Sequence, residues 1–191
     1  MKNLFWILIC FLLPLSISAQ TFTGGLLAGI SSCQVDGDQN AGYEKVGFWG
    51  GAFVRNKFSE YSGIQLGVHY IGKGSKRNAN PEAGDYTSFR NHLDYIEIPV
   101  LYNFYLKKRF IFEGGLGFGY LFRSKLDDES GTIPEEQYQF NDMDYNVQFG
   151  FNYLITKHLF INIRFSYSIL PIADDPSRFN RVLGYAFYYE F

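Results

Sequence analysis

The stretch HLDYIEIPVLYNFYL, His92–Leu106, decides the fold. It has the length and apolar content of a buried strand, yet it carries Glu97 and Pro99 in its middle. Successive strand side chains point to opposite faces. Ile96, Ile98, Val100, Tyr102 and Phe104 therefore share one face, and Glu97, Pro99, Leu101 and Asn103 the other. Which of the two faces meets the chain's own interior is the question that this stretch poses.

The same period of two recurs. In INIRFSYSI, Ile161, Ile163, Phe165, Tyr167 and Ile169 oppose Asn162, Arg164, Ser166 and Ser168. In YNVQFGFNY, Tyr145, Val147, Phe149, Phe151 and Tyr153 oppose Asn146, Gln148, Gly150 and Asn152. In LGYAFYYEF, Leu183, Tyr185, Phe187, Tyr189 and Phe191 oppose Gly184, Ala186, Tyr188 and Glu190. Eight strands are predicted: 22–32, 43–55, 61–72, 92–106, 110–123, 142–155, 159–170 and 181–191. Many match the roughly nine to eleven residues that cross a bilayer at a tilt. Their connections alternate. Residues 56–60, 107–109 and 156–158 are tight turns, whereas 33–42, 73–91, 124–141 and 171–180 are long and hydrophilic. Up-and-down strands gather the short turns at one end and the long loops at the other, as outer-membrane barrels do.

A soluble barrel of the lipocalin kind places its apolar face inward. Here the apolar stripes are broad and aromatic, while the opposite stripes are small or polar with single charges. Gly115, Gly117 and Gly119 oppose Phe112, Leu116, Phe118 and Tyr120. A narrow barrel interior suits the first set and lipid the second. The expectation is one domain, residues 20–191: an all-β, eight-stranded, antiparallel up-and-down transmembrane β-barrel with short periplasmic turns and long extracellular loops. A soluble secreted barrel is the alternative, and fits the loop asymmetry poorly.

Glu97 then points into the barrel, where an unpaired charge is costly. Arg55, Arg164 and Arg123 are the cations on inward parity, with Gln65, His69 and Asn103 as hydrogen-bonding groups. Glu113 is a second inward acid. The expected interior network is Arg55, Gln65, His69, Glu97, Asn103, Glu113 and Arg164. Gly150 is expected to leave room for the Arg164 guanidinium. Pro99 cannot donate to the sheet, so a bulge or a missing bond is expected beside it.

Composition agrees. The chain has 191 residues with 20 Phe, 15 Tyr and 20 Gly, and its net charge of −2 gives no basic field for nucleic acid. MKNLFWILICFLLPLSISAQ reads as an export signal: Lys2, the apolar run Leu4–Leu15, then Ser16, Ser18 and Ala19. Residues 1–19 are assigned to it, although Ile17 is an imperfect −3 residue. Its removal takes Cys10 and leaves only Cys33, so no internal disulfide is expected.

No catalytic, metal or cofactor site is assigned. His69, His92 and His158 form no H-x-x-x-H or H-E-x-x-H pair. The nearest grouping to an enzyme site is His92 with Asp94, approached by Ser88 from a loop. It would act on lipid A or phospholipid. Asp127–Ser130, Glu135 and Glu136, with Asp142 and Asp144, are a calcium candidate that lacks EF-hand spacing, and read as a solvated loop. GKGSKR, residues 72–77, is placed in the second long loop, where Lys73, Lys76 and Arg77 could meet lipopolysaccharide phosphates.

FTGGLLAGISSCQVDGD (22–38), GYEKVGFWGGAFV (42–54), LDYIEIPVLYNFYL (93–106) and LGYAFYYEF (183–191) together resemble the Bacteroidota outer-membrane β-barrel family that includes PorT-like proteins. The resemblance spans Thr21–Phe191, and the Y-x-E-I-P-V-L strand is its most specific mark. It implies an outer-membrane barrel whose terminal aromatic residue, Phe191, is read by the barrel-assembly machinery. It also implies contact with outer-membrane lipids and lipopolysaccharide, and a structural or interaction role that includes support of protein secretion or envelope assembly. A lipid-modifying enzyme and a small-solute channel remain the alternatives.

Overall fold

The computed structural model describes residues 22–38, 42–79, 82, 86–107, 109–128, 131–133, 139–174 and 176–191. Residues 1–19, expected to be an export signal, lie outside the described residues. Eight long strands form the wall: β1 Phe22–Asp36, β2 Lys45–Lys57, β3 Ser62–Arg77, β4 Phe89–Leu106, β5 Phe110–Asp128, β7 Met143–Leu154, β8 Leu159–Ser168 and β10 Ser177–Glu190. Two short strands, β6 Gly131–Ile133 and β9 Ala173–Asp174, pair with β5 and β10 at the long-loop end. Each long strand pairs antiparallel with its neighbours in sequence, and β1 pairs with β10 from Gly25↔Glu190 to Asp36↔Phe179. That last ladder closes the sheet into a ring and removes its edges.

The wall is inside-out relative to a soluble protein. Ile96, Ile98, Tyr102 and Phe104 are exposed, whereas Glu97, Leu101 and Asn103 are buried. Ile161 and Ile163 are exposed beside buried Asn162, Arg164, Ser166 and Ser168. Only a lipid surround makes such a surface favourable. Aromatic side chains line both edges of the apolar band. Phe48, Tyr70 and Phe122 run together near the long-loop end, with centroids 5.9 and 6.0 Å apart. Phe110, Phe112, Phe151 and Tyr153 pack at the short-turn end, as do Tyr189 and Phe191.

Several strands outrun the sequence expectation, β2 by two residues at the short-turn end and the others at the long-loop end. β3 continues to Arg77 and pairs with β4 down to Phe89, and β5 continues to Asp128. Residues 33–36, 73–77 and 89–91, expected in loops, are thus sheet. Gly72 and Gly74 made this segment look like a turn. Gly74 has φ +123° and lies within the strand, where a Cβ would collide with the Asn91 carbonyl.

Two irregularities matter for the interior. Opposite Pro99 the β3–β4 ladder stops at Leu66↔Val100 and resumes at His69↔Glu97 with its register unchanged. The proline costs a local bond, and no bulge forms there. The bulge lies higher, where Asp94 pairs with Arg123 but Tyr95 with Leu121. Phe122 is the extra residue, and it reverses the facing of Arg123 and the residues beyond it.

The candidate functional site: a buried polar network

The inward residues of β3, β4, β5, β7, β8 and β10 converge because alternate residues of every strand share the bore. At the centre of the upper cluster is Lys73, wholly buried. Its Nζ donates to Glu97 Oε2 at 2.6 Å and to Asp144 Oδ2 at 2.8 Å. Asp144 also accepts from Ser168 Oγ at 2.7 Å and Asn180 Nδ2 at 2.9 Å. Glu97 accepts further from Gln148 Nε2 at 2.8 Å and Asn146 Nδ2 at 3.1 Å. The Lys73 ammonium lies 5.0 Å from the centre of the Tyr95 ring.

A second cluster lies nearer the short turns. Arg164 Nε donates to Glu113 Oε1 at 2.7 Å, and its Nη2 to the Tyr188 hydroxyl at 2.9 Å. Asn152 and Asn162 each donate to Glu113, at 2.8 and 2.9 Å. Gln148 links the clusters, giving its amide to Glu97 while its carbonyl accepts from Arg164 Nη1 at 3.4 Å. The third cluster is Arg55, bonded to Glu190 Oε2 at 2.6 Å and to Gln65 Oε1 at 2.8 and 3.2 Å.

Each carboxylate thus has a cation and, in the two deeper clusters, amide donors, the arrangement that makes a buried charge tolerable. Bulky side chains fill the rest of the bore. Trp49, Phe53, Tyr95 and Tyr188 are buried, the first three beside Gly184, Gly25 and Gly119; the Trp49 ring would come within 2.7 Å of a Cβ at Gly184. The interior is therefore not only small and polar but alternates small with large.

Arg55, Gln65, His69, Glu97, Asn103, Glu113 and Arg164 are all buried. They do not form one network. Arg55 pairs with Glu190, not with Glu97. Among the described residues His69 Nδ1 accepts a 3.4 Å bond from the Trp49 indole, and Asn103 makes no bond to the charged clusters. Arg123 is not inside at all. The bulge turns it outward, where its side chain is 71% exposed and 3.9 Å from Asp94. The room beside Gly150 holds the Glu113 carboxylate rather than the guanidinium.

Two residues central to the network were expected elsewhere. Lys73 belongs to the interior, not to a lipopolysaccharide-facing loop, because β3 continues past Gly72 with unbroken parity from Gln65 through His69 and Ile71. Asp144, inside the predicted strand 142–155 but grouped with the loop acids as a calcium candidate, belongs to the interior network. Asp127 accepts from Lys125 and Thr132. Among the described residues no cluster of three or more His, Cys, Asp or Glu is placed to hold a metal. Residues 129, 130, 135 and 136 lie outside the described residues. Asp94 accepts from the Tyr70 hydroxyl at 2.8 Å and lies beside Arg123. It is thus already engaged on the outer wall near His92. Phe191 is exposed, its amide held by the Gly24 carbonyl at 2.9 Å.

Glu97→Gln will lower stability by about 1–3 kcal/mol, because Lys73 keeps Asp144 but loses one of its two carboxylates. The check is the urea midpoint in micelles. An unchanged midpoint would show that the Glu97 charge is not coupled to Lys73.

The family model described as an outer membrane protein beta-barrel domain matches residues 17–174. No curated protein matches in sequence. Among solved structures, Ail of Yersinia pestis, the attachment invasion locus protein in complex with the heparin analogue sucrose octasulfate, is 13% identical with a TM-score of 0.57. That match covers 89% of this chain and 99% of Ail. Neisserial surface protein A is 13% identical with a TM-score of 0.55, covering 89% of this chain and 97% of its own. At such identity the likeness is one of fold. With the closed lipid-facing ring and the match over most of its length, the chain belongs to the outer-membrane β-barrel domain family.

Proposed function

We propose that this outer-membrane barrel is an interaction protein whose working surfaces are its two ends and not its bore. The observation that carries the reading is the filled interior. Three ion-paired clusters and four large rings occupy the lumen from Asp144 down to Glu190. An eight-stranded bore leaves little further space. The strand extensions add ordered structure above the membrane, with β6 laid against β5. The resemblance to PorT-like barrels supports a role in secretion or envelope assembly, with lipopolysaccharide around the outer wall and the assembly machinery reading Phe191.

The test compares a deletion strain with its parent by quantitative proteomics of the outer membrane and culture medium, with lipid profiles from the same cells. The expected result is a selective loss of exported or surface-anchored proteins and an unchanged lipid profile. A changed lipid A or phospholipid pattern would instead favour an enzyme at His92 and Asp94. An unchanged proteome would remove the secretion role.

A further inference from the structure

A cavity of about 350 Å³ opens at the short-turn, periplasmic mouth of the barrel. Its wall includes Arg55, Lys57, Lys107 and Arg109, with Glu190 as the single carboxylate side chain among its described residues. Glu190 is already bonded to Arg55. Lys57, Lys107 and Arg109 have no carboxylate partner among the described residues. Lys57 Nζ sits 4.6 Å from the centre of the Tyr105 ring, and Arg109 Nη1 donates weakly to the Tyr153 hydroxyl at 3.4 Å. Lys107 is held at a left-handed φ of 54° in the hairpin that joins β4 to β5. The remaining wall is largely apolar: Phe110, Ile111, Leu154 and Phe160.

We propose that this cup binds a small organic carboxylate carried on an apolar body, entering from the periplasm. Three uncompensated cations around one mouth call for an anion and can each give it a charge-assisted bond. A bare inorganic anion would leave the aromatic and aliphatic wall uncovered. A carboxylate joined to an apolar or aromatic group covers both, and the volume lies at the lower end of ordinary ligand pockets. Two sources present this chemistry: the C-terminus of a peptide ending in an apolar residue, and a short fatty acid. The site does not depend on a secretion role, since the deletion strain and the binding assay read different things.

The experiment is calorimetric titration of the refolded barrel in zwitterionic micelles. The probes are N-acetyl-leucyl-phenylalanine, its C-terminal amide, hexanoate and inorganic phosphate. The free acid is expected to bind at least about tenfold more tightly than the amide, because only the carboxylate answers the cations. Lys57→Gln/Lys107→Gln/Arg109→Gln is expected to weaken it by a similar factor, while Lys76→Gln at the opposite end leaves it unchanged. Heat-modifiable migration on gels confirms that each variant is folded. Tighter binding of the dipeptide acid identifies the peptide source, and tighter binding of hexanoate the lipid source. Equal affinity for acid and amide, phosphate binding as tightly as either carboxylate, or an unaffected triple variant would each overturn the assignment.

Discussion

Lys73→Met will destabilise the barrel by about 3–5 kcal/mol, the cost of leaving buried charge without its partner. Methionine fits the stem of the lysine, so packing changes little. What disappears is the one ammonium that serves both Glu97 and Asp144. Asn146, Gln148, Ser168 and Asn180 still donate to them, but neutral donors do not cancel two buried charges. The measurement is the unfolding free energy from urea titration in micelles. Lys73→Met/Glu97→Gln/Asp144→Asn will recover much of the loss, because removing all the charges leaves none unpaired. A loss below about 1 kcal/mol in the single variant would show that Lys73 does not hold the cluster together.

Gly150→Val will have an effect of similar size, about 3–5 kcal/mol, through a different route. Gly150 and Glu113 are cross-strand partners on the inner face. A Cβ at 150 would collide with Glu113 Oε1 and lie 2.8 Å from its Cγ. The carboxylate cannot swing aside cheaply, since Arg164, Asn152 and Asn162 all hold it. Displacing it breaks the pair and strands the guanidinium. The control is Gly114→Ala on the outer face, where the nearest atom is a Phe149 ring carbon at 3.4 Å. That change should stay within about 0.5 kcal/mol. Equal effects at the two positions would refute the inward clash.

The strands and their facing were legible because lipid outside and polar groups inside reinforce a period of two. The alternating loop lengths supplied the direction. What the sequence concealed were the places where one residue breaks the pattern. The extra Phe122 turned Arg123 outward, and nothing in LFRSKL marks that bulge. Gly72 and Gly74 flank Lys73 and imitate a loop, so the sequence pattern puts the key cation of the lumen at the surface. Continuing the odd-numbered parity of β3 past Ile71 was the signal that could have found it. Asp144 was masked by its acidic neighbours. Trp49 and Phe53 lie in a glycine-rich strand where both faces look apolar, so alternation alone does not say which face turns inward.

Closure by the β1–β10 ladder has a consequence for assembly. The Lys73 cluster draws on β3, β4, β7, β8 and β10, with Lys73 and Asp144 separated by 71 positions in the chain. No hairpin contains it. A partly inserted sheet would leave a lysine, a glutamate and an aspartate unmatched, and an unpaired charge away from water is costly. Insertion and curling must therefore proceed together, so that the lumen is sealed from lipid as its charges meet. Half-barrels are then unfavourable, and insertion is expected to be cooperative.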